Sequence, residues 1–93
     1  MSGSLSEKLE QFWAYVLESV DGTFYVGHTD DLGRRVGEHN DPDAPSHKFT
    51  AKNGPWTLVW SELHGTRGSA MQREAQIKRM KSARWIREKL LNR

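Results

Sequence analysis

Apolar positions run in two different rhythms along the chain. From Phe12 to Leu17 aromatic and branched side chains are almost unbroken, Asp21-Gly22 supplies a turn, and β-rich composition resumes from Thr23 to Val26. This pattern predicts a hairpin whose strands are buried on both faces. A helical rhythm follows, with Asp30 or Asp31 as its cap, Leu32 and Val36 four apart, and an end near Asn40. Gly33 and Gly37 weaken that helix in isolation, so packing must hold it. The stretch 41–55 contains all three prolines and neither period, which predicts a long loop. Trp56 to Leu63 reads as a third strand. Ser69 to about Lys81 reads as a helix that can start as early as Thr66, and Ser82 caps a last helix carrying Trp85, Ile86, Leu90 and Leu91. The predicted order is ββαβαα, an α+β domain over residues 9–93 behind a flexible leader at 1–8.

Ninety-three residues support one domain with a modest core. There is no cysteine, which excludes disulfides, a thiolate nucleophile and a Cys-containing zinc site. No apolar run has the length of a membrane span or a signal-peptide core, so a cytoplasmic protein is expected. The net charge of +2 conceals an asymmetry. Residues 1–66 hold five Lys/Arg against ten Asp/Glu, whereas 67–93 hold nine against two. A basic C-terminal third is what a protein presents to a polyanion, and equally what a solvated helix surface looks like.

Tyr15 and Tyr25 are the first candidates for chemistry, since a phenol among cations can position or deprotonate an attacking water; packing is the alternative use. Register separates the two. A strict two-residue Asp21-Gly22 turn pairs Glu18 with Tyr25 and puts the tyrosines on opposite faces, whereas one extra loop residue or a bulge unites them. Arg35 and His39, four apart, project from one helix face at the rim of the Leu32/Val36 stripe. There an arginine can hold a phosphate and a histidine can move a proton, or both can serve structure alone. Glu74 falls among Ala70, Met71 and Ile77 at helical spacing, so its carboxylate is aimed at the packed side. Such a group is either salt-bridged to Arg35 or another arginine, or it anchors a divalent cation. His28, His39, His47 and His64 show no zinc-ligand spacing.

Taken in order, Trp13-Ala14-Tyr15, Tyr25-Val26-Gly27, Arg35, His39 and Glu74 resemble the motifs of the GIY-YIG nuclease superfamily. The run from Tyr25 to Arg35, with Arg73-Glu74-Ala75-Gln76-Ile77-Lys78, is similar to its small stand-alone bacterial YhbQ-like members. The resemblance implies a three-stranded antiparallel sheet flanked by helices and one active site using a single divalent cation, Mg²⁺ or Mn²⁺. It implies Glu74 as the metal ligand, Tyr25 as the group activating water, and Tyr15, Arg35 and His39 around the phosphate. Water would attack phosphorus in line while the metal stabilises the leaving 3′ oxygen. Lys48, Lys52, Arg73 and Lys78 would then track the substrate backbone.

The expected activity is metal-dependent endonucleolytic hydrolysis of DNA, on single-stranded or branched substrates because the domain lacks a groove-reading helix pair, with a role in repair or recombination. RNA stays open as a substrate, and a protein partner could supply specificity. The rival readings are a nucleic-acid-binding module that keeps the fold without turnover, and a protein-interaction domain using exposed aromatics. The second of these predicts no salt-dependent nucleic-acid binding.

Overall fold

A computed structural model describes residues 11–41, 43 and 54–93. The leader and most of the long loop, including His47, Lys48 and Lys52, lie outside the described residues. Three antiparallel strands, β1 (Phe12–Ser19), β2 (Phe24–Thr29) and β3 (Trp56–His64), form one sheet in the order β2-β1-β3. Helix α1 (Leu32–His39) follows β2, and α2 (Arg67–Met80) follows β3. The last helix, α3, begins as Ala83–Trp85 and continues as a π-type turn over Ile86–Leu90. The architecture is the expected α+β domain in the order ββαβαα. Among the described residues no helix is long and apolar enough to cross a membrane.

The hairpin settles the register. Ser19 and Thr23 flank a three-residue loop: the Ser19 N–H donates to the Thr23 carbonyl, and the Gly22 N–H to the Ser19 carbonyl. Gly22 takes φ +88°, which a Cβ would disfavour. The Asp21 carboxylate accepts from the Ser19 hydroxyl and from the Thr23 N–H, and those bonds hold it below the usual carboxylate range. With the longer turn, Leu17 faces Tyr25 and Tyr15 faces Gly27. Both tyrosines therefore project from the same side of the sheet.

Because β1 is central, its side chains enter two cores. Tyr15, Leu17 and Trp56 pack on one face with Tyr25 and with Leu32 and Val36 of α1. Val16 and Val26 pack on the other with Ile77 of α2 and Ile86 of α3, backed by Phe24, Trp60 and Trp85. A bulge in β3, where β1 partners skip from Trp60 to Leu58, lets Val59 and Trp60 both serve this second core. Each helix start has the side-chain cap its sequence suggests: Asp31 accepts from the Arg34 N–H, Thr66 from Ser69 and Ser82 from Trp85. At the far end of α1, the Asn40 amide accepts from the Trp56 N–H at 2.6 Å and donates to its carbonyl at 3.0 Å, tying α1 to the start of β3.

Candidate active site

Gly27 explains how the tyrosine cluster can form. Tyr15 crosses the neighbouring strand at this residue, and a Cβ built there would lie 2.7 Å from the Tyr15 hydroxyl and 3.1 Å from the Tyr25 ring. Only a glycine leaves that path open. The Tyr15 hydroxyl ends 2.8 Å from His39 Nε2, and the Tyr25 ring lies 4.6 Å from the His39 ring between centroids. Tyr15 and His39 have no exposed surface, so the histidine stands behind the tyrosines rather than at the rim of the core.

Arg35 joins this cluster from the previous turn of α1, hydrogen-bonded to Tyr15 and to Glu38 Oε1 at 3.1 Å. A guanidinium only donates, so Tyr15 accepts from Arg35 while its hydroxyl also shares a hydrogen bond with His39 Nε2. Burial pushes the Tyr15 phenol up to about 12, the Arg35 hydrogen bond working the other way, with small upward contributions from Tyr25 and Glu74. At neutral pH Tyr15 therefore keeps its proton. Burial opposes the charge on Arg35, yet its bonds to Tyr15 and Glu38 hold its pKa above the ordinary value.

Glu74 reaches the β2 edge from α2. Its Oε1 lies 2.6 Å from His28 Nδ1 and its Oε2 2.5 Å from Lys78 Nζ, with 17% of the side chain exposed. Burial pushes this carboxyl up, but the hydrogen bonds from Lys78 and His28 outweigh it, so Glu74 is ionised well into the acid range. Of the apolar neighbours expected from helical spacing, Ala70 and Ile77 are buried, whereas Met71 is exposed. The partner of Glu74 is also new: a histidine and a lysine take the place of an arginine. His28 was not separable from the other histidines by spacing. The available signal was its position two residues beyond Val26, on the strand face turned toward α2.

The expected substrate-binding cations divide. Lys78 belongs to the Glu74 cluster. Arg73 faces β3 instead, bonded to Glu62 at 3.1 Å with its guanidinium 5.4 Å from the Trp60 ring centre. A polar cavity of about 390 Å³ opens beside the end of β2, lined by His28, Thr29, Asp30, Arg34, Arg35 and Arg67. Among the described residues no three His, Cys, Asp or Glu side chains converge as a metal-binding group. The donor set fits a divalent cation in one way only. Glu74 would be the single protein ligand, already anionic, with waters and phosphate oxygens completing the shell once the half-exposed Lys78 swings aside.

Two clustered tyrosines on β1 and β2, a glycine on β2 that admits one of them, an arginine from α1 and an ionised glutamate from α2 are the residue types of a phosphodiester-processing site. The chain belongs to the GIY-YIG catalytic domain family, which residues 11–88 match, and that domain implies nuclease activity in general. Within it the chain is similar to the UPF0213 proteins, a small stand-alone group. It is 44% identical to one from Halobacterium salinarum, across 74% of this chain and 87% of that protein. It is 32% identical to one from Staphylococcus aureus, across 87% of this chain and all of that protein. The solution structure of a UPF0213 protein from Bacillus halodurans superposes with a TM-score of 0.52 at 30% identity, covering 88% of this chain and 83% of that one.

Proposed function

We propose that this protein is a metal-dependent endonuclease that hydrolyses phosphodiester bonds in DNA, with single-stranded or branched substrates preferred. The observation that carries the reading is Glu74, a partly buried carboxylate held ionised by His28 and Lys78 and close enough to act electrostatically on Tyr15. Binding alone requires no such group. Arg35 would hold the scissile phosphate and offset the charge that develops on its oxygens. Tyr15, keeping its proton, fixes Arg35 on one side and His39 on the other. Tyr25, partly exposed beside His39, would orient the attacking water. Mg²⁺ or Mn²⁺ on Glu74 would supply charge stabilisation at the leaving oxygen. A role in DNA repair or recombination is consistent with a preference for branched substrates.

One observation favours a second reading. Both Glu74 oxygens already have cationic or hydrogen-bonding partners, His28 and Lys78, as they would in a nucleic-acid-binding module without turnover. The two readings part in one experiment, in which wild type and Glu74→Ala are incubated with labelled single-stranded, duplex and branched DNA, with Mg²⁺ or Mn²⁺ and then with chelator. Cleavage that needs metal and is lost in the variant is expected. Binding to every substrate without cleavage establishes the second reading.

A further inference from the structure

Three guanidiniums and a single carboxylate line the cavity at the end of β2. Arg35 stands at its inner wall, bonded to Tyr15. Arg34 and Arg67, each about half exposed, line it on the solvent side. The one lining carboxylate, Asp30, sits between them, with Oδ1 3.0 Å from Arg34 Nη2 and Oδ2 4.0 Å from Arg67 Nη2. Two further carboxylates approach Arg34 from outside the cavity lining, Asp31 at 4.0 Å and Glu38 at 3.9 Å. Those contacts are long and solvent-exposed, and such pairs contribute little. Asp31 is already committed to capping α1, and Glu38 to Arg35.

Arg67 is also held in place without an anion. Its Cζ lies 4.7 Å from the centre of the Phe12 ring, a cation–π contact that biases the guanidinium toward this position before any ligand arrives. Two guanidiniums facing one carboxylate leave donors over, and a phosphate, whose oxygens accept from both forks, can use them. Arg34 and Arg35 are consecutive, and their side chains diverge by about 100° around the helix. They can therefore serve two neighbouring anions rather than one.

We propose that this cavity binds a second backbone phosphate of a nucleic-acid strand, the one adjoining the phosphate held by Arg35, with Arg34 and Arg67 as its ligands. The inference rests on the nuclease reading for the placement of the first phosphate. It adds a requirement: the strand must continue past the cut on the α2 side, so a substrate whose chain stops at the scissile phosphate is poorly held.

The test measures binding and turnover separately. Affinity for a short single-stranded oligonucleotide is read in chelator across a salt series for wild type, Arg67→Gln, Arg34→Gln and Arg67→Lys, with thermal melts to show that each folds. Loss of one charge-assisted contact predicts a Kd raised about tenfold in either glutamine variant. The salt slope should fall by about 0.7, the share of one phosphate on a single strand. Arg67→Lys should keep the slope. With metal present, KM should rise while kcat stays within about twofold, because neither arginine meets the reacting atoms. Oligonucleotides in which one phosphate at a time is a neutral methylphosphonate then locate the contact. One such replacement beside the cut should weaken wild type about tenfold or more and have a smaller effect on Arg67→Gln, in which Arg34 is the remaining ligand. Equal Kd and slope in wild type and both glutamine variants, or a methylphosphonate penalty undiminished in Arg67→Gln, overturns the inference and leaves the nuclease reading intact. The coupled losses in binding without cleavage of any substrate would retain the phosphate site and remove the nuclease reading. No nucleic-acid binding at low salt would remove both.

Discussion

The two faces of the sheet are built on different terms. Against α2 and α3 the core is the aliphatic cluster Val16, Val26, Ile77 and Ile86. Against α1 the equally enclosed core contains the Tyr15 hydroxyl and the whole of His39, joined to each other at 2.8 Å. Apolar packing is tolerant of shape so long as volume is kept, whereas a buried polar network must be complete or it destabilises. The first face therefore supplies cohesion, and the second fixes positions. Glu74 is the exception that makes the site: it rises from the helix of the cohesive face, is bonded to His28 at the β2 edge, and acts on Tyr15 through its charge.

Ile77→Ala should show the largest effect on stability. The side chain is 1% exposed at the centre of the aliphatic cluster, and such truncations cost about 2–5 kcal/mol. Urea unfolding would measure the loss. If this face only holds the fold together, cleavage assayed below the variant's transition should stay within about threefold of wild type. A far larger loss of turnover in folded Ile77→Ala would mean that the two faces are not separable.

The fixed face should respond to alkali instead. Tyr15 titrates near 12 in the folded chain, against 10.0 for a free phenol. Folding therefore favours the protonated form: the stability is complete below pH 10 and is lost as pH rises through 12. The rise from 10.0 to about 12 corresponds to about 2–3 kcal/mol. Unfolding free energies measured across that window should fall more steeply for wild type than for Tyr15→Phe. Parallel slopes would show that the Tyr15 proton has no special hold.

Gly27→Ala probes the same face by shape. The added methyl meets the Tyr15 ring end, which is pinned by His39 and cannot swing aside as a long flexible chain would. Overpacking of this kind costs about 1–3 kcal/mol. Catalysis should fall further than stability implies, because relief of the clash displaces the hydroxyl that holds Arg35. Unchanged melting and turnover would mean that the tyrosine path over Gly27 is looser than the geometry indicates.

How much of this was legible in the residues differs between the same two faces. The α2 side was legible as apolar composition, since Val16, Val26, Ile77 and Ile86 need only be buried, although the unbroken run from Phe12 to Leu17 assigned no faces and Met71, expected to pack, is exposed. On the α1 side the pattern placed Tyr15 and Tyr25 on strands but left their faces undecided, because the outcome hung on one loop residue that Gly22 supplies by taking φ +88°. His39 was legible as a neighbour of Arg35 but not as a buried group, since helical spacing gives direction and not depth. The pairing of His28 with Glu74 was out of reach, because it joins residues 46 apart in sequence across a strand edge and a helix. The Arg34–Asp30–Arg67 cavity was hidden for the same reason.

Lys78→Ala should have the smallest effect on stability and the most pointed one on chemistry. The lysine side chain is 54% exposed, and a surface ion pair of this kind contributes less than about 1 kcal/mol, so melting should barely move. Its ammonium nevertheless occupies Glu74 Oε2 at 2.5 Å, the oxygen that a divalent cation would need. Removing it leaves the carboxylate with His28 alone. If Glu74 is the metal ligand, the Mg²⁺ concentration giving half-maximal cleavage should fall by a few fold, since the competing cation is gone. If Lys78 chiefly contacts substrate, the metal requirement should stay where it was and KM for the oligonucleotide should rise, with a shallower salt dependence. A fall in metal requirement would place the working carboxylate at the junction of the cohesive and the fixed face, and an unchanged one would assign Lys78 to the backbone-tracking surface of α2.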